Sequence, residues 1–141
     1  MKKISLLMLF CTFLTIVACN KEAPKSISIP QPIFDSENLS ITVLSSTLEK
    51  LEIELQNNTS VDLTTSNYYV IEHYMDSEWK EVPLSLNVED VEIHLPANEA
   101  HPFTIELYPE QHEYELGKYR VEKTVSTANG VIHPIIEFHI E

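Results

Sequence analysis

Apolar residues in this chain recur at every second position and show no sustained helical period. Leu51, Ile53 and Leu55 alternate with Glu52, Glu54 and Gln56, the pattern of a strand with one face buried and the other wet. The same period runs through Leu39, Ile41 and Val43, and through Tyr69, Ile71 and His73 set against Val70, Glu72 and Tyr74. It returns in Val91, Ile93 and Leu95, in Phe103, Ile105 and Leu107, and in Tyr119, Val121, Lys123 and Val125. Ile136, Phe138 and Ile140 complete the series. Turn formers separate the runs: Asn57 to Ser60, Asp76-Ser77, Pro96 to Asn98, Tyr108-Pro109, and Gly117. A short segment around Val61, Asp62 and Leu63 is expected to cross to the next strand, and Asp76-Ser77 to close a hairpin between Tyr68–Tyr74 and Trp79–Val82. Asn129-Gly130 predicts a second hairpin, with both residues at positive φ in a type I′ turn. A last strand is expected over Val131–Ile140, with Pro134 at a bulge or on a free edge because it has no N–H to donate. Seven to eight short strands and no helix define an all-β fold, an antiparallel β-sandwich.

The first eighteen residues do not belong to that fold. Lys2 and Lys3 precede an apolar run from Ile4 to Val17, too short to cross about 30 Å of hydrocarbon but suited to the core of an export signal. Ile16-Val17-Ala18-Cys19 resembles the lipobox of bacterial lipoproteins. In that family the cysteine thiol is diacylated, the preceding peptide is removed and the new amino terminus is acylated, so Cys19 is the expected site of lipidation. A plain signal peptide or a short membrane anchor is the alternative. Residues 19–37, with Pro24, Pro30 and Pro32, read as the lipidated cysteine and a flexible tether, and 38–141 as the sandwich. The tether stretch itself runs from Asn20 to about Asp35, sixteen residues that reach up to about 50 Å when extended. Asn20 stands where an aspartate resembles an inner-membrane retention signal. In a two-membrane host this favours the outer membrane or the cell surface.

Charge and cysteine usage narrow the partners. The net charge of −13 becomes −15 once Lys2 and Lys3 leave with the signal. Such a surface repels phosphate backbones, so nucleic acid is not an expected partner. It also repels anionic head groups, which leaves the lipid on Cys19 as the expected membrane contact. Cys11 lies in the signal and Cys19 carries lipid, so the mature domain holds no disulfide and must be stabilised by its core.

Leu116-Gly117-Lys118-Tyr119-Arg120-Val121 resembles the tyrosine corner of immunoglobulin-like domains, with Gly117 and Tyr119 as the corner and Val121 where antibody domains carry their second cysteine. The resemblance places Ile53 or Leu55 opposite Val121, an apolar pair in place of the disulfide. Tyr68-Tyr69-Val70-Ile71-Glu72 with Trp79-Lys80-Glu81-Val82-Pro83, and Gly117 through Lys123, are similar to a bacterial immunoglobulin-like family found in envelope lipoproteins. The likeness spans Leu39 to Ile140 and implies an immunoglobulin-like sandwich without a shared activity. The chain departs from that family at Asp76-Ser77, where Asp-Gly is usual, and at Pro96-Ala97-Asn98, where a glycine is usual.

Little in the sequence points to catalysis. It has no Gly-x-Ser-x-Gly elbow, and its two glycines cannot build a phosphate-cradling loop. No cofactor is expected. Histidines 73, 94, 101, 112, 133 and 139 include no i, i+2 pair on a strand. His133 and His139 would stand about 20 Å apart. The acidic groups Glu89, Asp90 and Glu92, and Glu110, Glu113 and Glu115, carry hard oxygen ligands without a spaced motif, and no metal site is assigned. Tyr74 and Trp79 are either cross-strand packing partners or an exposed platform. Tyr108, His112 and Tyr114 form a second candidate binding surface on a loop. The expectation is a lipid-anchored, non-catalytic binding module of the cell envelope. The alternatives are an inhibitor or accessory subunit of an envelope enzyme or transporter, and a metal-binding protein.

Overall fold

A computed structural model of the chain describes residues 23–30, 36–86, 88–89 and 91–141. The segment read as a signal peptide, Cys19 and Asp90 lie outside the described residues. Among the described residues ten strands follow in order: β1 (Ile27–Ser28), β2 (Leu39–Ser46), β3 (Lys50–Asn57), β4 (Leu63–Met75), β5 (Glu78–Glu81), β6 (Glu92–Leu95), β7 (Ala100–Glu106), β8 (Gly117–Thr127), β9 (Gly130–Ile132) and β10 (Ile135–Ile140). All pairings are antiparallel. One sheet runs β2-β3-β7; the other runs β1-β10-β8-β4-β5, with β6 beside the first part of β4 and β9 beside the end of β8. This is the immunoglobulin-like sandwich that the alternation and the Tyr119 motif predict.

The core is the sum of the inward faces. Leu51, Ile53 and Leu55 from β3, Phe103 and Ile105 from β7, and Val121 and Val125 from β8 are buried with Tyr69, Ile71, Ile136 and Phe138. Full burial of an aliphatic side chain contributes about 1.5–3 kcal/mol, so this shared interior replaces the missing disulfide. Three tyrosine hydroxyls tie it further. Tyr69 donates to the Glu106 carbonyl at 2.8 Å, joining the two sheets, and Tyr114 donates to the Leu107 carbonyl at 2.7 Å. Tyr119 donates to the Glu115 carbonyl at 3.1 Å and accepts from the Glu115 amide at 3.0 Å. Its ring lies between its cross-strand neighbours His73 (centroids 4.1 Å apart) and Phe138 (5.4 Å).

Several local expectations are corrected. The strand expected at Tyr68 begins at Leu63, because Leu63 to Ser66 pair with β6 before the register shifts between Thr65 and Tyr69. The last strand is two, since Pro134 interrupts it; the Pro134 carbonyl still accepts from the Lys123 amide at 3.1 Å. The positive-φ turn is in the other hairpin. Asp76 (φ 54°) and Ser77 (φ 67°) join the paired residues Met75 and Glu78 in a type I′ geometry without glycine. At Asn129-Gly130 the paired residues are Thr127 and Gly130, so Ala128 and Asn129 form the loop, and only Gly130 has positive φ. Asn98 (φ 61°) takes the left-handed position where the resembled family has glycine, which the short asparagine side chain tolerates.

The tether expectation also changes. Within residues 19–37, Ile27 and Ser28 pair with Ile140 and His139, and Ser26 and Glu141 exchange two backbone hydrogen bonds of 2.9 and 3.0 Å. Ile27 and Ile29 pack against the core. The chain therefore meets the sandwich at one end, here termed the base, beside Glu141. The connections Thr47–Glu49, Asp76–Ser77 and Tyr108–Leu116 gather at the base. The tip, opposite, holds Asn58–Asp62, Pro96–Glu99 and Ala128–Asn129.

Replacing Tyr119 by Phe removes both Glu115 contacts and keeps the ring. The expected cost is about 1–2 kcal/mol of folding stability, read by urea or thermal denaturation; a variant that melts with the wild type would show that the hydroxyl does not hold the corner.

Candidate functional site

The residues singled out in the sequence fall into two groups at or near the base. Tyr74 and Trp79 are register partners on β4 and β5, with ring centroids 5.1 Å apart. Tyr74 is exposed, while Trp79 is half-buried beneath cations: the Arg120 guanidinium lies 4.3 Å and the Lys118 ammonium 5.4 Å from its ring centre. Arg120 is ion-paired with Glu72, and Lys118 with Glu137 at 2.8 Å. Trp79 is therefore packed into a row of outer-face pairs, leaving Tyr74 as the accessible ring.

Tyr108, His112 and Tyr114 do not form an exposed platform. Tyr114 is 5% exposed and spends its hydroxyl on Leu107; burial pushes its pKa upward. Tyr108 is half-buried at positive φ, and its carbonyl accepts from the amides of Gln111 and His112. His112 meets Tyr114 edge-on at 4.7 Å. The physical reason is local. The connection from β7 to β8 must turn back over the open end of the core, and its aromatic rings close that end. Gly117 (φ 148°) is required here, because a Cβ would stand 3.0 Å from His73 Nε2. Desolvation lowers the pKa of His73, with Glu115 opposing.

Among the described residues no group of three or more His, Cys, Asp or Glu side chains could hold a metal ion. His133 instead meets Glu122 at 3.0 Å, and His94 lies 3.6 Å from Glu92.

Two polar residues that sequence reasoning passed over organise the interior. Lys123 is 1% exposed. Its ammonium donates to the carbonyls of Ser66 (2.8 Å) and Tyr68 (3.3 Å) and lies 4.5 Å from the centre of the Phe103 ring. The register shift in β4 between Thr65 and Tyr69 supplies those carbonyls. The alternation did place Lys123 on the inward face; that β4 would break its ladder opposite had no signal in the sequence.

Asn57 is the second, wholly buried at the tip. Its amide nitrogen lies 2.9 Å from the Val61 carbonyl, 2.9 Å from that of Leu95 and 3.0 Å from that of Pro96. Its side-chain oxygen accepts from the Thr59 amide and hydroxyl at 2.9 and 2.8 Å. One side chain thus fixes two tip connections. Continuing the period of Leu51, Ile53 and Leu55 would have placed it inward. Beside it lies a groove of about 300 Å³ between Thr59–Leu63 and Thr127–Ile132.

Lys123 gives the domain a specific pH response. Burial lowers its pKa to about 8, against about 10.4 in an unfolded chain. Between these values the unfolded state binds more protons than the folded state, so stability rises with pH. The expected gain from pH 7.5 to 10 is roughly 2 kcal/mol, before the buried tyrosines, which hold their protons in the fold, reverse the trend. Urea denaturation across this range checks it. Lys123→Met should flatten the rise, and a wild-type curve that is itself flat would show that the ammonium carries no desolvation cost.

The geometry is that of a sandwich whose base is closed by aromatic packing and whose tip is held by a buried amide. No curated protein matches the sequence. A family model described as Bacterial Ig-like domain matches residues 35–133, which takes in β2 through β9 and the Tyr119 corner. The chain belongs to the bacterial Ig-like domain family.

Proposed function

We propose that this protein is a lipid-anchored, non-catalytic binding module of the bacterial cell envelope. Ile16-Val17-Ala18-Cys19, a lipobox pattern placed shortly before an Ig-like domain, carries the reading. Membership of an Ig-like family supports a binding or interaction role for the domain. Diacylation of Cys19 would hold it firmly, because each buried methylene is worth about 0.8 kcal/mol and more than one chain is needed for stable attachment.

Docking of Ser26 at the base shortens the free tether. Seven residue steps from Cys19 to Ser26 span at most about 25 Å, half the reach expected of a tether running to Asp35. The base then faces the bilayer and the tip faces away from it. At the base Glu49, Asp76, Glu110, Glu113, Glu115 and Glu141, with Glu72, Glu78, Glu106 and Glu137 behind them, outnumber the cations Lys25, Lys50, Lys80, Lys118 and Arg120 of the same half, so anionic head groups repel it. The lipid remains the membrane contact in this reading, and a partner meets the domain elsewhere.

Metabolic labelling with an alkyne fatty acid tests the anchor. The wild-type protein should carry label and migrate at its processed mass, and Cys19→Ala should do neither. Labelled, processed Cys19→Ala protein would overturn the assignment.

A further inference from the structure

We infer that the tip groove is a recognition site for a peptide segment of another envelope protein, one that presents an apolar side chain flanked by basic residues. The inference rests on the binding-module reading and names the surface that reading leaves open.

The groove stands out first by its charge. Its lining among the described residues, which includes Asn38, Thr59, Val61, Asn129, Val131 and Ile132, contains no ionisable side chain in a chain of net charge −13. Val61 is 49% and Val131 53% exposed, so two branched apolar side chains face solvent across the groove. Glu37 and Asp62, each next in sequence to a lining residue, are exposed. Among the described residues no lysine or arginine answers them there. Lys25, Lys50, Lys80, Lys118 and Arg120 all belong to the half of the sandwich nearer the base, as their partners Tyr114, Glu106, His73, His139 and Glu72 show. Lys123 is buried. An anionic ligand would thus find no lysine or arginine among the described residues at the tip, whereas a Lys or Arg beside an apolar residue would meet Glu37 or Asp62.

The walls are also fixed before any ligand arrives. Asn57 holds the Thr59–Val61 wall from inside, and Thr59 Oγ1 lies 2.8 Å from both Asn57 Oδ1 and the Val61 carbonyl, so its one proton serves either acceptor. On the other wall Thr127 Oγ1 donates to the Gly130 carbonyl and accepts from the Asn129 amide. Loops already tied down lose little conformational freedom on binding, which favours affinity. Among the described residues no aromatic ring lines the groove, and these residues give a sugar no stacking surface. A second copy of the processed chain would bring another −15 of charge to the same place.

The test uses the full lipidated protein in nanodiscs, panned against a phage-displayed library of random dodecapeptides. Enriched peptides should combine an apolar residue with Lys or Arg and lack Asp and Glu. Their binding should weaken with added salt, and at least tenfold in the double variant Val61→Ser/Val131→Ser. Both substituted side chains are exposed, and an unchanged melting temperature would verify the fold. Failure to enrich such peptides, or enriched peptides that bind the double variant equally, would overturn the groove assignment. Binders lost instead in Tyr74→Ser would contradict the groove while leaving the binding-module reading intact.

Discussion

The Tyr119 hydroxyl, bonded to both the amide and the carbonyl of Glu115, fixes the path of the chain from β7 to β8, and much of the structure follows from that closure. It seats Tyr114 over the core and brings Gly117 against His73. It also starts β8 in the register that aligns His73, Tyr119 and Phe138 across three strands. A domain without a disulfide must hold its two sheets together from within. Tyr69 and Tyr114 extend the same device by reaching from the core to backbone carbonyls at and beyond the end of β7. Each such bond is worth about 1 kcal/mol net, so the tyrosines add to the hydrophobic interior and also set its geometry.

Lys123 is the costly part of this arrangement. A buried ammonium without a carboxylate loses solvation, which two carbonyls and an aromatic face offset in part. The compensation requires β4 to break its ladder with β8 between Thr65 and Tyr69. That break leaves Tyr68 exposed on the surface. The lysine and the irregularity are therefore one feature: an aliphatic residue at 123 would leave the Ser66 and Tyr68 carbonyls without this donor.

The strands were legible because period-2 alternation and turn formers report directly on which face is buried. Tyr119 was legible because a tyrosine just after a turn glycine has one economical place to put its hydroxyl. Long-range pairing was less accessible. Ile27 and Ser28 sit between Pro24 and Pro30 and become a strand only by adding to β10, more than a hundred residues later. Turn geometry misled at Asn129-Gly130, where the register selects Ala128 and Asn129 for the loop. The aromatic loop residues suggested a binding surface, yet the open end of the core needed them more. Asn57 and the uncharged groove beside it could have been found by carrying the period of β3 one step further.

Docking of Ile27 and Ser28 beside His139 and Ile140 gives the sandwich a polarity: acidic at the base where the chain comes in, poor in charge at the tip groove. If Cys19 carries lipid, as proposed, that polarity becomes an orientation, base towards the bilayer and groove away from it. The most direct measurement is electron paramagnetic resonance on the lipidated protein in liposomes, with spin labels on Leu116→Cys at the base and Ala128→Cys at the tip. The account predicts that lipid-soluble oxygen, concentrated near the bilayer, relaxes the label at 116 more strongly than the label at 128. A stronger effect at 128, or equal effects at both positions, would contradict it.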